Sequence, residues 1–296
     1  PIDKYRNTLN IDHDGWTIKS SLYSGQRAKY LFSGQCYIPQ GFAYTGFRTT
    51  DQRQHIETFN TASLLYINEG EATLQYSVNR GTKQEATLPT GTRLRLFEVQ
   101  HEEIRAGQFS VRGGEGFTGY GLFLNDPTGV YVDNYSLRSS TGLQLSRINS
   151  GTLAQLNELV PYDLIILQYG MNLVEADRKD YSTYVESMLR VIAHLREGMP
   201  QASILVFAVG DRNYRLDDGT MGTKAGVLNL VEAQRTLAQQ AGVAFWNTYL
   251  AMGGRNSLSK FVAQRPSWAN RDYTHINYHG GRKIGQWFGE SLVDAQ

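Results

Sequence analysis

The spacing of hydrophobic positions changes once along the chain, near residue 127. Upstream, short segments rich in β-branched and aromatic residues alternate with Gly, Asn, Asp and Ser turn signals. These segments are Trp16–Lys19, Lys29–Phe32, Ala62–Ile67, Ala72–Val78, Arg93–Val99 and Gln108–Arg112. Such alternation, broken by frequent turns, predicts antiparallel strands in a β-sandwich or jelly roll. Asn68–Glu71 reads as a hairpin loop between two of them.

Downstream the pattern becomes strand, then helix, repeated. Val130–Leu137 reads as a strand, with a helical stretch around Thr152–Leu159. Asp163–Tyr169 is a continuous apolar run, the pattern of a strand buried on both faces. A long amphipathic helix is predicted over Tyr181–Glu197, with Val185, Met188, Leu189, Ile192 and Leu195 on one stripe. Ser203–Val209 is the next buried strand, Val227–Gln240 the next helix and Val243–Asn247 the last strand. This rhythm predicts an α/β unit, a parallel sheet wrapped by helices.

Composition narrows the function classes. The 296 residues are 41% hydrophobic and 19% charged, which suits a folded globular chain with a sizeable core. Lys+Arg 29 against Asp+Glu 28 gives a net charge of +1, which argues against an electrostatically driven nucleic-acid or membrane-surface binder. No apolar run approaches the roughly 20 residues needed to span a bilayer. Pro1–Asn10 is too polar for a signal peptide. A single cysteine, Cys36, excludes an internal disulfide framework and a cysteine-based metal cluster. No metal site is expected: His275 and His279 are close in sequence, but Gly280 and Gly281 after them favour a turn. Gly113–Gly116 lies in the β-rich part, without the strand-then-helix context of a phosphate loop.

In an open parallel sheet, ligands sit at the carboxyl ends of the strands, so the loops there carry most weight. They are Asn134–Gly142, Tyr169–Asn172, Gly210–Asn213 and, near the C-terminus, Asp272–His275. An Asp three residues before a His on a tight turn can hold one ring nitrogen and leave the other facing a substrate. The same string also fits a loop Asp that caps the following helix, with a His beside it. Asn172 can donate to a developing oxyanion while Gly170 lets the backbone turn; a turn-forming Asn is the plainer alternative. Ser139 could offer its backbone N–H as a second donor, or be an ordinary loop serine.

Together and in this order, these loops resemble the SGNH (GDSL-type) hydrolase family. Asn134–Ser139 resembles the second sequence block, with Ser139 at the position where a glycine normally lends its N–H to the oxyanion hole. Gly170–Asn172 matches the third block, whose Asn supplies a side-chain donor. Asp272–His275 matches the fifth, whose His is the general base and whose Asp orients it. The resemblance implies a doubly wound, flavodoxin-like parallel sheet over residues 128–296. Phe245–Tyr249 and Ala251–Gly254 look like the branch of bacterial envelope esterases that deacetylate peptidoglycan or other glycans. In that branch a β-sandwich similar to a carbohydrate-binding module is often inserted, which residues 11–127 fit, with 1–10 as a connecting segment. The implied location is periplasmic, secreted or cell-surface, the implied partner a glycan substrate, and no cofactor is implied.

One departure matters. The family's first block ends in Gly-Asp-Ser and carries the nucleophile, and this sequence contains no Gly-Asp-Ser and no Gly-x-Ser-x-Gly elbow. In the family, the strand bearing it lies between those ending at Asn134 and Gly170. Three expectations follow. The nucleophile lies on a segment upstream of Pro1 or on a second chain; or the protein binds glycan without cleaving it; or a serine such as Ser136, Ser139 or Ser140 takes the role. Acetyl transfer to a sugar acceptor would use the same residues as hydrolysis.

Overall fold

The computed structural model describes residues 9–21, 29–50, 56–137 and 139–294. The chain forms two compact units, residues 1–137 with 148–160, and residues 138–147 with 161–296. Of the expected connecting segment, residues 1–8 lie outside the described residues, and Leu9 and Asn10 already belong to a strand.

The first unit is built from β1 (Leu9–Ser20), β2 (Gln35–Thr49), β3 (Phe59–Asn68), β4 (Thr73–Val78), β5 (Gln84–Thr87), β6 (Gly91–Ile104), β7 (Ala106–Gly113) and β8 (Phe117–Asn125). All pair into one sheet of order β5-β4-β7-β2-β8-β3-β6, with β1 also on β2. The sheet forks at β2, where Gly41 to Arg48 pair with β7 while Tyr37 faces Gly119 of β8. Inward-pointing side chains of both arms meet in one core: Phe47, Leu64, Tyr66, Leu74, Phe109, Val111 and Phe117. The alternation is therefore satisfied by a single curled antiparallel sheet. Two local expectations change. Lys29–Phe32 is not in a strand. Asn68–Glu71 is not a hairpin loop, because β3 pairs with β6 and β8 while β4 pairs with β5 and β7. Helix α1 (Ser150–Leu159) is N-capped by Asn149, whose Oδ1 accepts from Thr152 N at 3.0 Å. It lies against β6, where Leu94 N–H donates to Gln155 Oε1 at 2.8 Å.

The second unit contains β9 (Leu164–Leu167), α2 (Ser182–Gly198), β10 (Ser203–Phe207), β11 (Asn213–Arg215), β12 (Met221–Thr223), α3 (Ala225–Ala241), β13 (Ala244–Trp246), α4 (Thr248–Ala251), α5 (Ser257–Ala263) and α6 (Tyr278–Asp294). Its main sheet is parallel, in the order β13-β10-β9. Helices α2 and α3 form where the 3.6-residue period predicts them. Tyr184, Val185, Met188, Val191, Ile192 and Leu195 form the buried stripe of α2, each contributing about 1.5–3 kcal/mol over an exposed position. The short antiparallel pair β11–β12 leaves too few residues for any period to show.

Two strand expectations are corrected. Val130–Leu137 is not a strand, and Val130 and Val132 are 94% and 85% exposed. β-Branched and aromatic residues make a strand only where a neighbour completes its ladder, and none does among the described residues. β9 is formed as expected but is not buried on both faces: Leu164 and Ile166 are 37% and 41% exposed. Its second edge has no hydrogen-bonded neighbour among the described residues, the situation sheets ordinarily avoid for an apolar strand.

Two glycines test the packing of the second unit. A Cβ on Gly226 would lie 1.8 Å from the carbonyl oxygen of Glu175, whereas one on Gly285 meets nothing within 4 Å. Gly226→Ala is expected to destabilise by about 2 kcal/mol or more. Gly285→Ala, in the exposed interior of α6, should stabilise by about 0.5–1 kcal/mol. Urea unfolding of both variants measures the contrast, and equal midpoints would contradict the packing described.

Candidate active site

The turn at Asp272–His275 is organised by one carboxylate. Asp272 Oδ1 accepts the backbone N–H groups of Thr274 and His275, both at 2.9 Å. Its other oxygen lies 2.8 Å from His275 Nδ1. Because a carboxylate there can only accept, Nδ1 carries a proton, and in the neutral ring it is Nε2 that keeps the lone pair. The turn closes because Tyr273 adopts a left-handed backbone with φ of 53°. That conformation is uncommon for a residue with a side chain. The ends of the segment are held by Asn270 N–H to the His275 carbonyl at 2.8 Å and Tyr273 N–H to the Asn270 carbonyl at 3.2 Å.

Asp272 is not the cap of the following helix. Helix α6 begins at Tyr278, and Asn277 Oδ1 accepts from His279 N at 3.0 Å and Gly280 N at 3.3 Å. With that task assigned to Asn277, the Asp272 carboxylate is left to the turn and the ring. The Asp272 and His275 side chains are 47% and 71% exposed, so the imidazole is open to solvent. Burial alone would raise the Asp272 pKa; the hydrogen bonds from His275 and Thr274 and the charge of the His275 ring outweigh it and bring the pKa below the ordinary 3.8.

The amide donor sits at the end of β9. Gly170, at φ of 114°, turns the chain into a single 3-10 turn, Met171–Leu173, and Asn172 Nδ2 donates to the Ser140 carbonyl at 3.2 Å. Asn172 is thus bonded to the loop that contains Ser139, itself exposed and left-handed at φ of 63°. Ser140 is buried, and its hydroxyl accepts from Gly142 N–H at 3.1 Å and from the Gln144 amide. Gln234 underlies this arrangement and belongs to no motif in the sequence. Fully buried on α3, it donates from Nε2 to the Tyr169 carbonyl at 2.8 Å and accepts at Oε1 from Val209 N–H at 2.8 Å. It therefore joins the chain leaving β9 to the chain leaving β10. A polar residue on the apolar stripe Val227, Leu230, Val231, Leu237, Ala238 was the available signal.

A chain of bonds connects these loops to the histidine turn. The Val174 carbonyl accepts from Arg212 Nη1 and from the Tyr214 hydroxyl, both at 3.1 Å. Between those two residues, Asn213 N–H donates to the Tyr273 carbonyl at 3.0 Å. Asn172, Ser139, Gly170, Asp272 and His275 therefore belong to one bonded set of loops in the second unit. Asn134 belongs to the first unit. Its Oδ1 accepts from the backbone N–H of Ser136 at 2.9 Å and from the Ser136 hydroxyl. Among the described residues no serine hydroxyl is hydrogen-bonded to the His275 ring, and no three His, Cys, Asp or Glu side chains cluster as a metal site. No helix among them is long and apolar enough to cross a membrane.

No protein-family model matches the sequence, and no curated protein sequence does. Solved structures do match. One titled "Peptidoglycan O-acetylesterase in action, 5 min" is 19% identical, with a TM-score of 0.72 over 97% of this chain and 77% of its own. The two share a fold. A carbohydrate esterase family 3 structure from Talaromyces cellulolyticus matches 58% of this chain and 75% of its own at 16% identity, with a TM-score of only 0.40. An acetyl xylan esterase matches 44% of this chain and 67% of its own at 16% identity, with a TM-score of 0.33.

The bonds on Asp272 fix the pH dependence of this turn. Its pKa is lower in the folded protein than in the unfolded chain. The stability it contributes is therefore in force above the unfolded value and is lost as pH falls through the folded one. Asp272→Asn should lower the urea midpoint near neutral pH, and the deficit should shrink as pH falls below the ordinary carboxylate range, the change being small because the carboxylate is half exposed. An undiminished deficit at the acid end would rule out the pairing.

Proposed function

We propose that the protein is a serine esterase of SGNH type that removes O-acetyl groups from a glycan, such as peptidoglycan or another polysaccharide. The observation that carries this reading is the Asp272–His275 contact of 2.8 Å at Nδ1, which leaves Nε2 as a base. Support comes from the bond between Asn172 and the Ser139–Ser140 loop and from the likeness of fold to a peptidoglycan O-acetylesterase.

In this reading His275 Nε2 takes the proton of a serine hydroxyl as its oxygen attacks the acetyl carbonyl. Asp272 stabilises the imidazolium, and Asn172 Nδ2 with the Ser139 N–H holds the oxyanion. The imidazolium then protonates the departing sugar oxygen. Water, activated by the same nitrogen, releases acetate and restores the serine. The serine is supplied by a segment upstream of Pro1 or by a second chain, pairing as a strand with the edge of β9 that has no neighbour among the described residues. We read residues 11–127 as a carbohydrate-binding-module-like domain, residues 128–296 as the catalytic one, and the location as the cell envelope or beyond.

A second reading, a glycan-binding protein with a degenerate catalytic domain, is favoured by the absence of Gly-Asp-Ser from the 296 residues. Hydrolysis of a small acetyl ester by the full-length protein and by its His275→Ala variant separates the two. The esterase reading expects activity that falls about 10³-fold or more in the variant. Equal rates reject His275 as the base, and no activity in either protein favours the binder. Adding an oligosaccharide acceptor distinguishes hydrolysis from acetyl transfer by its product.

A further inference from the structure

A second carboxylate lies behind the histidine turn, and nothing in the proposed chemistry uses it. Asp211, on the chain leaving β10, is 1% exposed. Its Oδ2 accepts from Asn213 Nδ2 at 2.8 Å and from Leu258 N–H at 3.0 Å, and its Oδ1 from the Thr223 hydroxyl at 2.7 Å. Among the described residues it has no ion-pair partner. A carboxyl group buried among neutral donors is costly unless each donor is held in place, and here the donors hold one another. Asn256 Oδ1 accepts Thr223 N–H at 2.9 Å, and Thr223 Oγ1 accepts Asn256 N–H at 2.8 Å. Ser259 donates its hydroxyl to Asn213 Oδ1 at 2.6 Å. One carboxylate thus gathers β11, β12 and the first turn of α5 around itself.

The product of this network is a fixed Asn213. Its side chain is bonded at both ends inside the cluster, while its backbone N–H points outward to the Tyr273 carbonyl at 3.0 Å. Within residues 270–275, that is the hydrogen bond among the described residues that ties the turn to another element. It grips the left-handed residue on which the turn depends.

We propose that Asp211 is a positioning residue for the Asp272–His275 pair, acting through Thr223 and Asn213 to hold the Tyr273 carbonyl and with it the imidazole. The inference rests on the reading of His275 as the base. Asp211 touches neither the substrate nor the ring. Replacing its carboxylate by an amide turns one acceptor into a donor facing donors, which releases Asn213 and loosens the turn. A catalytic group displaced by about 1 Å loses rate on the order of 10²-fold.

The test uses the full-length protein with a small acetyl ester, together with ¹⁵N spectra of the His275 ring. Asp211→Asn and Thr223→Val are expected to lower kcat at least tenfold with KM within about twofold. Both should also mix the single Nδ1–H tautomer of His275 with the other. Thr223→Ser, which keeps the hydroxyl, is expected to restore both readouts. Should Asp211→Asn fail to fold, the two Thr223 variants decide alone. Unchanged kcat and ring spectra in a folded Asp211→Asn or Thr223→Val protein overturn the proposal, as does a loss in Thr223→Ser equal to that in Thr223→Val. If His275→Ala keeps full activity, the catalytic reading falls, and the tautomer change still reports separately on whether Asp211 positions the ring.

Discussion

The candidate site depends on how a single carboxylate divides its two oxygens. Asp272 gives one to the backbone N–H groups of Thr274 and His275 and the other to the His275 ring. The first pair of bonds makes the turn and the second orients what the turn presents. Neither is independent of the other, because the backbone N–H it accepts belongs to the residue whose ring it steers. A short rigid carboxylate suits this closure. The added methylene of a glutamate would let the ring wander while the backbone stayed in place. The cost is Tyr273 in a conformation that side chains disfavour, and such strain persists where surrounding structure over-determines it.

Surrounding structure does so by placing polar groups where the sheet ends. The strands β9, β10 and β13 are short, and the chain emerging from them meets buried side chains that bond to backbone rather than to solvent. Each such group is acceptable because its donors and acceptors are satisfied. The apolar sheet supplies cohesion and the polar layer above it supplies direction, so that loops at the carboxyl ends of parallel strands have defined shapes.

Much of this was legible in the sequence. The periods of α2 and α3 and the apolar runs of β9 and β10 are strong local signals, and the structure places elements at those positions. Asp272 and His275 were legible because their partnership is local, three residues apart on one turn. Asn172 was legible from its place after a glycine at a strand end. Asp211 and Gln234 were not, since each closes its network on a partner distant in sequence: Asn213 is only two residues from Asp211, but Leu258 is 47, and Tyr169 is 65 from Gln234. Val130–Leu137 shows the opposite failure. Its β-branched and aromatic residues suit a strand, but a ladder is a property of two segments and one segment's composition cannot supply the other. The fork at β2 was hidden for a related reason, as which strands exchange hydrogen bonds is decided by tertiary packing and not by alternation.

Gln234 has a mechanical consequence. By clasping the Tyr169 carbonyl with one end of its amide and the Val209 N–H with the other, it removes the freedom of either segment to shift alone. Sliding the backbone beneath Asn172 means uncoupling two strands and evicting a polar group into hydrocarbon, so the rim behaves as a plate and not as a hinge.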